Sequence, residues 1–374
     1  MKSTDIGIRG AGIVGRALAL LLARERLRVA LVERPVPPAG EAAPRADVRA
    51  YALNGASRAL LESLRCWPDL AAATPVLRME VQGDQGGALA FGAAEQQVEA
   101  LGWIVDVPAL ERRLDDAIGY QPLIERVTTS SPARLSVVCE GRSSETRLAL
   151  GVDYVTTAYP HTAIATRLHG SVPHGGVARQ WFSSGEILAF LPLDGPQGTS
   201  VAVVWSVEHA RVPRLVALSP EEFAKELEIA SHQSMGSLTL SADRVAWPLQ
   251  RSMASRWIGQ TDGRSWALAG DAAHAMHPLA GQGLNVGLAD AAELARVLGG
   301  REYWREPGDL RLLRRYERAR QGAVMTMTTT TDILQQLFAR EGAVWEGLRN
   351  WGLTGVDQLA PLKGWLARQA MGPR

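Results

Sequence analysis

The chain opens on a short apolar run, Ile6 to Arg9, breaks at Gly10-Ala11-Gly12-Ile13-Val14-Gly15, and resumes as an apolar stripe from Arg16 to Glu25. The pattern predicts a strand, a tight turn and a helix with a buried face. Val29-Ala30-Leu31-Val32 predicts a second strand ending at Glu33, and Pro35, Pro37 and Pro38 then stop regular structure. Asn54 to Leu64 reads as another helix. From about Trp67 to Gly92, and again from about Thr157 to Val207, short strands alternate with Gly-rich turns. Two hairpins stand out, Leu77–Val81 with Ala88–Phe91 and Ile187–Leu193 with Ser200–Val207. Strand and helix return after Ser265, and beyond Leu310 the chain reads helical to near its end. The whole predicts an α/β domain interrupted by an antiparallel sheet.

Composition narrows this picture. With 374 residues, 46% of them apolar, the chain can bury one large core or two. A net charge of +1, from 40 basic and 39 acidic residues, gives no field for nucleic acid. Cys66 and Cys139 fall in no motif, which suits a reducing cytosol and no disulfide scaffold. The run Ala17 to Ala23 resembles a secretory segment, but Arg9 and Arg16 interrupt it and the first helix accounts for it. No run approaches the roughly 20 apolar residues that a membrane-spanning helix needs. His161, His169, His174, His274 and His277 have no metal-ligand spacing, so no metal is expected.

Two segments carry chemistry. Gly10-x-Gly12-x-x-Gly15 follows a strand, opens a helix and precedes an acid 18 residues on (33 − 15), the spacing of a dinucleotide-binding turn. Gly10 permits the turn, Gly12 lets backbone approach a pyrophosphate, and Gly15 lets the helix pack on the strand. With Ile13 and Val14 they form the expected ADP cradle, and Glu33, with Arg34 beside it, faces the ribose. Downstream, the apolar strand Trp266-Ala267-Leu268-Ala269 runs into Gly270-Asp271, and a loop through Pro278, Gly281 and Gly283 starts a second helix. A flavin needs both features. Its ribityl hydroxyls want a carboxylate, and its N1–C2=O edge wants helix-start N–H groups. Asp271 is assigned to the ribityl chain, and Pro278, Gly281, Gly283, Leu284 and Asn285 to the isoalloxazine.

The segments Gly270-Asp271-Ala272-Ala273-His274 and His277 to Asn285 closely resemble the group A flavoprotein aromatic hydroxylases, most of all those of ubiquinone biosynthesis. The likeness covers nearly the whole chain. Arg49 is similar to the family's arginine that lies against the flavin. Val177–Phe182 and Leu188–Leu193 resemble its substrate-layer strands. The resemblance implies FAD, NADH or NADPH as reductant, and oxygen from O2 delivered to an electron-rich ring, here a prenylated phenol. A non-prenylated aromatic substrate, or a non-catalytic flavoprotein assembly subunit, stays open as an alternative. No Trp-x-Trp-x-Ile-Pro segment of the flavin halogenases is present. Three departures stand out. Glu140-Gly141-Arg142 replaces the family's Asp-Gly motif, Val107 sits where relatives carry a polar side chain, and the stretch from Ile118 to Leu135 is short. No catalytic acid or base is assigned.

The expected fold is therefore a Rossmann-type FAD-binding domain with an inserted antiparallel substrate-binding sheet and a helical C-terminus. The FAD domain spans 1–66, 100–153 and 264–330, the substrate layer 67–99 and 154–263, and the C-terminal segment 331–374. From Arg311 onward ten basic residues face five acidic ones, with Trp345, Trp351 and Trp365 among them. That segment is read either as a helical cap or homodimer face, or as a surface that touches anionic lipid or a biosynthetic complex. The protein is expected in the cytoplasm, or peripheral to the inner face of the membrane.

Overall fold

The computed structural model describes residues 4–33, 47–83, 87–129, 132–183, 185–276 and 283–339, with side chains up to residue 326. Arg34, His277, Pro278, Gly281 and the segment from 340 onward therefore lie outside the described residues.

Three sheets organise what is described. The first has six strands in the order Ile258–Thr261, Arg264–Leu268, Ala133–Val138, Thr4–Arg9, Val29–Val32, Ile124–Val127. All pair in parallel except the outermost hairpin 258–268. Parallel strands need both faces covered. The helices Ile13–Arg24, Val107–Gly119 and Gly283–Gly299 pack here, with Leu18, Leu22, Leu114, Leu288 and Leu294 buried among Ile6, Ile8, Leu31 and Val137. The short stretch between residues 119 and 133 still supplies one strand, Ile124–Val127, which pairs with Val29–Val32.

The second sheet has nine strands and is antiparallel apart from one pair, Arg78–Gln82 with Val177–Ser183. Its spine is Tyr154–Gly170, one strand of 17 residues where the sequence pattern predicts shorter pieces. Pro160 explains the difference. It sits where the register with Val245–Ala254 shifts between Ala158 and Thr162, a bulge that tolerates a residue without an N–H. Both predicted hairpins form, as Arg78–Gln82 with Ala88–Gly92 and as Glu186–Pro192 with Ser200–Glu208. A third sheet, Ala50–Leu53, Gly102–Asp106 and Ala73–Val76, lies between the other two. The predicted Asn54–Leu64 helix runs from Gly55 to Ser63, capped by the Asn54 side chain on Ser57 N. The last helix described is Leu310–Ala339.

Candidate cofactor and substrate site

The C-terminal ends of parallel strands fall on one edge of a sheet. The registers Arg9↔Val32, Arg9↔Val138 and Leu268↔Val138 bring Gly10, Glu33, Glu140 and Gly270-Asp271 together there. Gly10 turns with φ +104°, and an added Cβ would run into the Cys139 carbonyl. A Cβ on Gly15 would run into the Gly10 carbonyl oxygen, so the helix lies directly on the turn. Gly12 differs, because among the described residues its Cβ would meet nothing within 4 Å. It caps the helix without a side-chain acceptor, and the first turn has no acidic residue. Among the described residues no side chain caps these helix-start N–H groups, an arrangement that suits an anionic ligand.

Glu33 leads away from this cradle. Its Oε1 is buried with no hydrogen-bond partner among the described residues, and Arg126 stands 3.6 Å away. A buried acceptor without a hydrogen bond at this point fits a ribose hydroxyl.

The second motif meets the first at Val14. Its side chain lies 3.4 Å from where a Cβ on Gly270 would be and 2.7 Å from one on Gly287. Asp271 follows Gly270, which turns with φ +61°. Burial raises the Asp271 carboxyl, and the charges of His274, Arg142 and Arg49 only partly offset this. Among the described residues nothing donates to its side chain, while its backbone carbonyl accepts from Tyr154 Oη at 2.6 Å. Arg147 stacks 3.6 Å over the Tyr154 ring and donates to Ala272 O at 3.1 Å. Tyr154 was not anticipated from sequence. Its contact spans 117 residues and no local pattern marks it.

Arg49 holds Asp47, at 2.9 Å from Nε, and reaches Tyr51 Oη at 3.4 Å. Arg167, from the long strand of the second sheet, donates to Val48 O at 3.1 Å and Arg49 O at 3.2 Å and pairs with Asp106 at 2.6 Å. Asp106 also caps the helix that begins at the buried Val107. Glu140 is spent locally. It accepts from Ser144 Oγ, Thr146 Oγ1 and Thr146 N, and against its burial these bonds hold the carboxyl below its usual range. Asn285 ties the second helix down. Its Oδ1 accepts from Asn54 N and Ser57 Oγ, and its Nδ2 donates to Ala52 O.

The second sheet turns a distinct face to this site. Register sets up rows across it, Ala178–Leu191–Ala202–Arg167, then Gln180–Ala189–Val204–Ala165, then Phe182–Ile187–Ser206–Ala163. Ala178, Leu191 and Ala202 pack with Ala50, Ala52, Val76 and Ile104 of the middle sheet. Beyond that packed row, Ala189, Val204 and Ile187 are only half-buried. The opposite face is sealed by Phe223 and Leu227 against Phe190, Val203 and Trp205.

An open helix start at the first motif, two strand-end carboxylates and an apolar sheet alongside define a flavin-dependent α/β enzyme. A family model described as FAD binding domain matches residues 124–331, more than half of the chain. Ubiquinone hydroxylase UbiL of Rhodospirillum rubrum is 32% identical over 395 residues, covering 99% of this chain and 90% of its own. The 3-demethoxyubiquinol 3-hydroxylase of Escherichia coli is 29% identical and covers 99% of each chain. The crystal structure of p-nitrophenol 4-monooxygenase PnpA from Pseudomonas putida matches with a TM-score of 0.75 over the whole of both chains at 16% identity, a likeness of fold. The chain belongs to the FAD-binding flavoprotein hydroxylases. It is an FAD-dependent monooxygenase.

Among the described residues no helix is long and apolar enough to cross a membrane. No cluster of three metal-ligating side chains occurs among them either. His169 bonds Ser200, His174 bonds Leu193 O and Gly176 N, and His274 bonds Asp290.

Proposed function

We propose that this enzyme hydroxylates the ring of a prenylated phenol on the way to ubiquinone. The carrying observation is the half-buried apolar strip Ile187, Ala189 and Val204, which runs on from the row that packs against the flavin-side sheet. Such a strip suits an isoprenoid tail. The similarity to UbiL and to the Escherichia coli hydroxylase supports the same reading.

In this reading Gly10, Gly12, Ile13, Val14 and Gly15 hold the pyrophosphate on the first helix start, and Glu33 accepts from the adenosine ribose. Asp271 accepts from the ribityl hydroxyls, while the backbone from Gly283 to Asn285 faces the isoalloxazine. Arg49, with its backbone clamped by Arg167, would lie against the flavin. The Glu33 Oε1, which has an ion pair to Arg126 but no hydrogen-bond partner among the described residues, and the space at Gly12 fit the cofactor. Bound FAD, reduced by NADH or NADPH, supplies the electrons and activates O2. The chain's own task is to exclude water and aim the ring, which the apolar sheet face does by gripping the tail.

A strain lacking this protein should accumulate a prenylated quinone precursor short of one hydroxyl, and the wild-type gene should clear it. A normal quinone profile in that strain would sink the pathway assignment.

Asp271→Asn tests the flavin placement. Charge-assisted hydrogen bonds contribute roughly 1.5–3 kcal/mol each, so FAD should bind about 10-fold to 100-fold more weakly. The sign for stability is opposite. A carboxyl raised in the fold favours folding only while it is protonated, and that contribution is lost as pH rises. The FAD-free variant should therefore melt no lower than the parent at pH 7. Titration of FAD and thermal melts of the apoprotein give both numbers. Unchanged FAD affinity would show that Asp271 does not face the ribityl chain.

A further inference from the structure

Asp290 lies on the Gly283–Gly299 helix and is fully buried. Its Oδ2 accepts from Gly270 N at 2.9 Å and from His274 Nε2 at 2.6 Å. Those two residues are the two ends of the turn that presents Asp271. One carboxylate oxygen therefore pins both ends. Its Oδ1 accepts from Arg320 Nε at 2.7 Å, and Arg320 also donates to Val286 O at 3.2 Å. Arg320 belongs to the Leu310–Ala339 helix, which also bonds the strand leading into that turn and the residue before the neighbouring strand. Tyr316 Oη donates to Leu268 O at 2.8 Å, and Glu317 accepts from Trp257 N at 2.9 Å. The Trp257 ring in turn lies 4.9 Å from the His274 ring.

A buried carboxylate is costly unless it is paired, and a well-packed apolar residue would stabilise a core as well or better. Here the charge does something an apolar residue does not. It fixes a left-handed glycine turn by hydrogen bonds to a backbone N–H and a ring nitrogen, while Arg320 balances the charge from outside the domain's sheet. We propose that Asp290 and Arg320 are positioning residues, which set the Gly270–His274 turn and through it the Asp271 carboxylate, so that the 310–339 helix governs FAD affinity. This rests on Asp271 facing the flavin.

The test is a double-mutant cycle read by FAD titration of the apoprotein, with visible circular dichroism of the bound flavin as a second readout. Arg320→Gln should weaken FAD binding about tenfold or more and alter the flavin dichroism. In an Asp271→Asn background the same change should cost much less, because the group it positions is gone. Arg320→Lys, which keeps a buried charge near Asp290, should recover part of the affinity. If Arg320→Gln does not fold, Arg320→Lys alone decides, with weaker FAD binding at an unchanged melting temperature as the expected result. Unchanged FAD affinity in the folded Arg320 variant, or equal losses in both backgrounds, overturns the proposal. If Asp271→Asn itself leaves affinity unchanged while Arg320→Gln lowers it, the flavin placement fails and the proposed route through Asp271 fails with it.

Discussion

Gly15→Ala should strip FAD from the protein and destabilise the FAD-free chain by roughly 1–3 kcal/mol, the range for overpacking a filled core. The added Cβ would meet the carbonyl oxygen of Gly10, which is backbone and has no side-chain rotamer to yield. Relief needs the Ile13–Arg24 helix to lift from the turn, and that helix buries Leu18 and Leu22 against the parallel sheet. Lifting it also withdraws the N–H groups of the first turn from the pyrophosphate. Losing two charge-assisted bonds of roughly 1.5–3 kcal/mol each would weaken FAD binding by about 100-fold to 10,000-fold.

Gly12→Ala is the matched control. Its Cβ would meet no atom of the described residues within 4 Å, and the residue already has φ −75°. The cost to the apoprotein should stay near 1 kcal/mol, the difference between glycine and alanine as a helix cap. FAD binding should nevertheless fall, since the methyl takes the space into which the pyrophosphate comes. Thermal melts of the two apoproteins and FAD titrations separate the roles. Unchanged FAD affinity in the Gly12→Ala variant would show that the turn serves packing alone.

The N-terminal half of this site was legible because its signals are local. A turn of three glycines and an acid at a strand end lie within 24 residues, Gly10 to Glu33, and the structure places them as the spacing predicts. Asp271 was legible for the same reason, at the end of an apolar strand. What holds Asp271 was not. Asp290 and Tyr154 contact this turn across 20 and 117 residues, and Arg320 reaches Asp290 across another 30, while hydrophobic periodicity says nothing about which polar side chain on a helix will be pinned to which distant group. Asn285 shows the converse. It sits inside a recognisable motif, yet its side chain is taken up by Ala52, Asn54 and Ser57. Ile124–Val127 escaped notice because a strand of four residues with charged Glu125 and Arg126 at its centre has no apolar run.

Lengthening the prenyl tail of a phenol substrate should raise kcat/KM steeply and then level off. Each buried methylene contributes about 0.8 kcal/mol, so a fully buried five-carbon unit is worth about 4 kcal/mol, roughly a thousandfold. Ile187, Ala189 and Val204 line one side of a strip, and contact on that side alone would cover about half of each unit, leaving about thirtyfold per unit. The gain should end when the tail passes the last row, Phe182–Ile187–Ser206–Ala163, beyond which further units lie in solvent. Val204→Asp would bury an unpaired charge under the tail. It should flatten the dependence on length while leaving flavin reduction by NADH or NADPH intact, because Val204 lies a row away from the residues packed on the flavin side. The measurement is hydroxylation of a phenol series differing only in one to three prenyl units, with an untailed phenol as reference. If the untailed phenol is turned over best, the strip does not bind a tail, and a small, non-prenylated aromatic becomes the substrate.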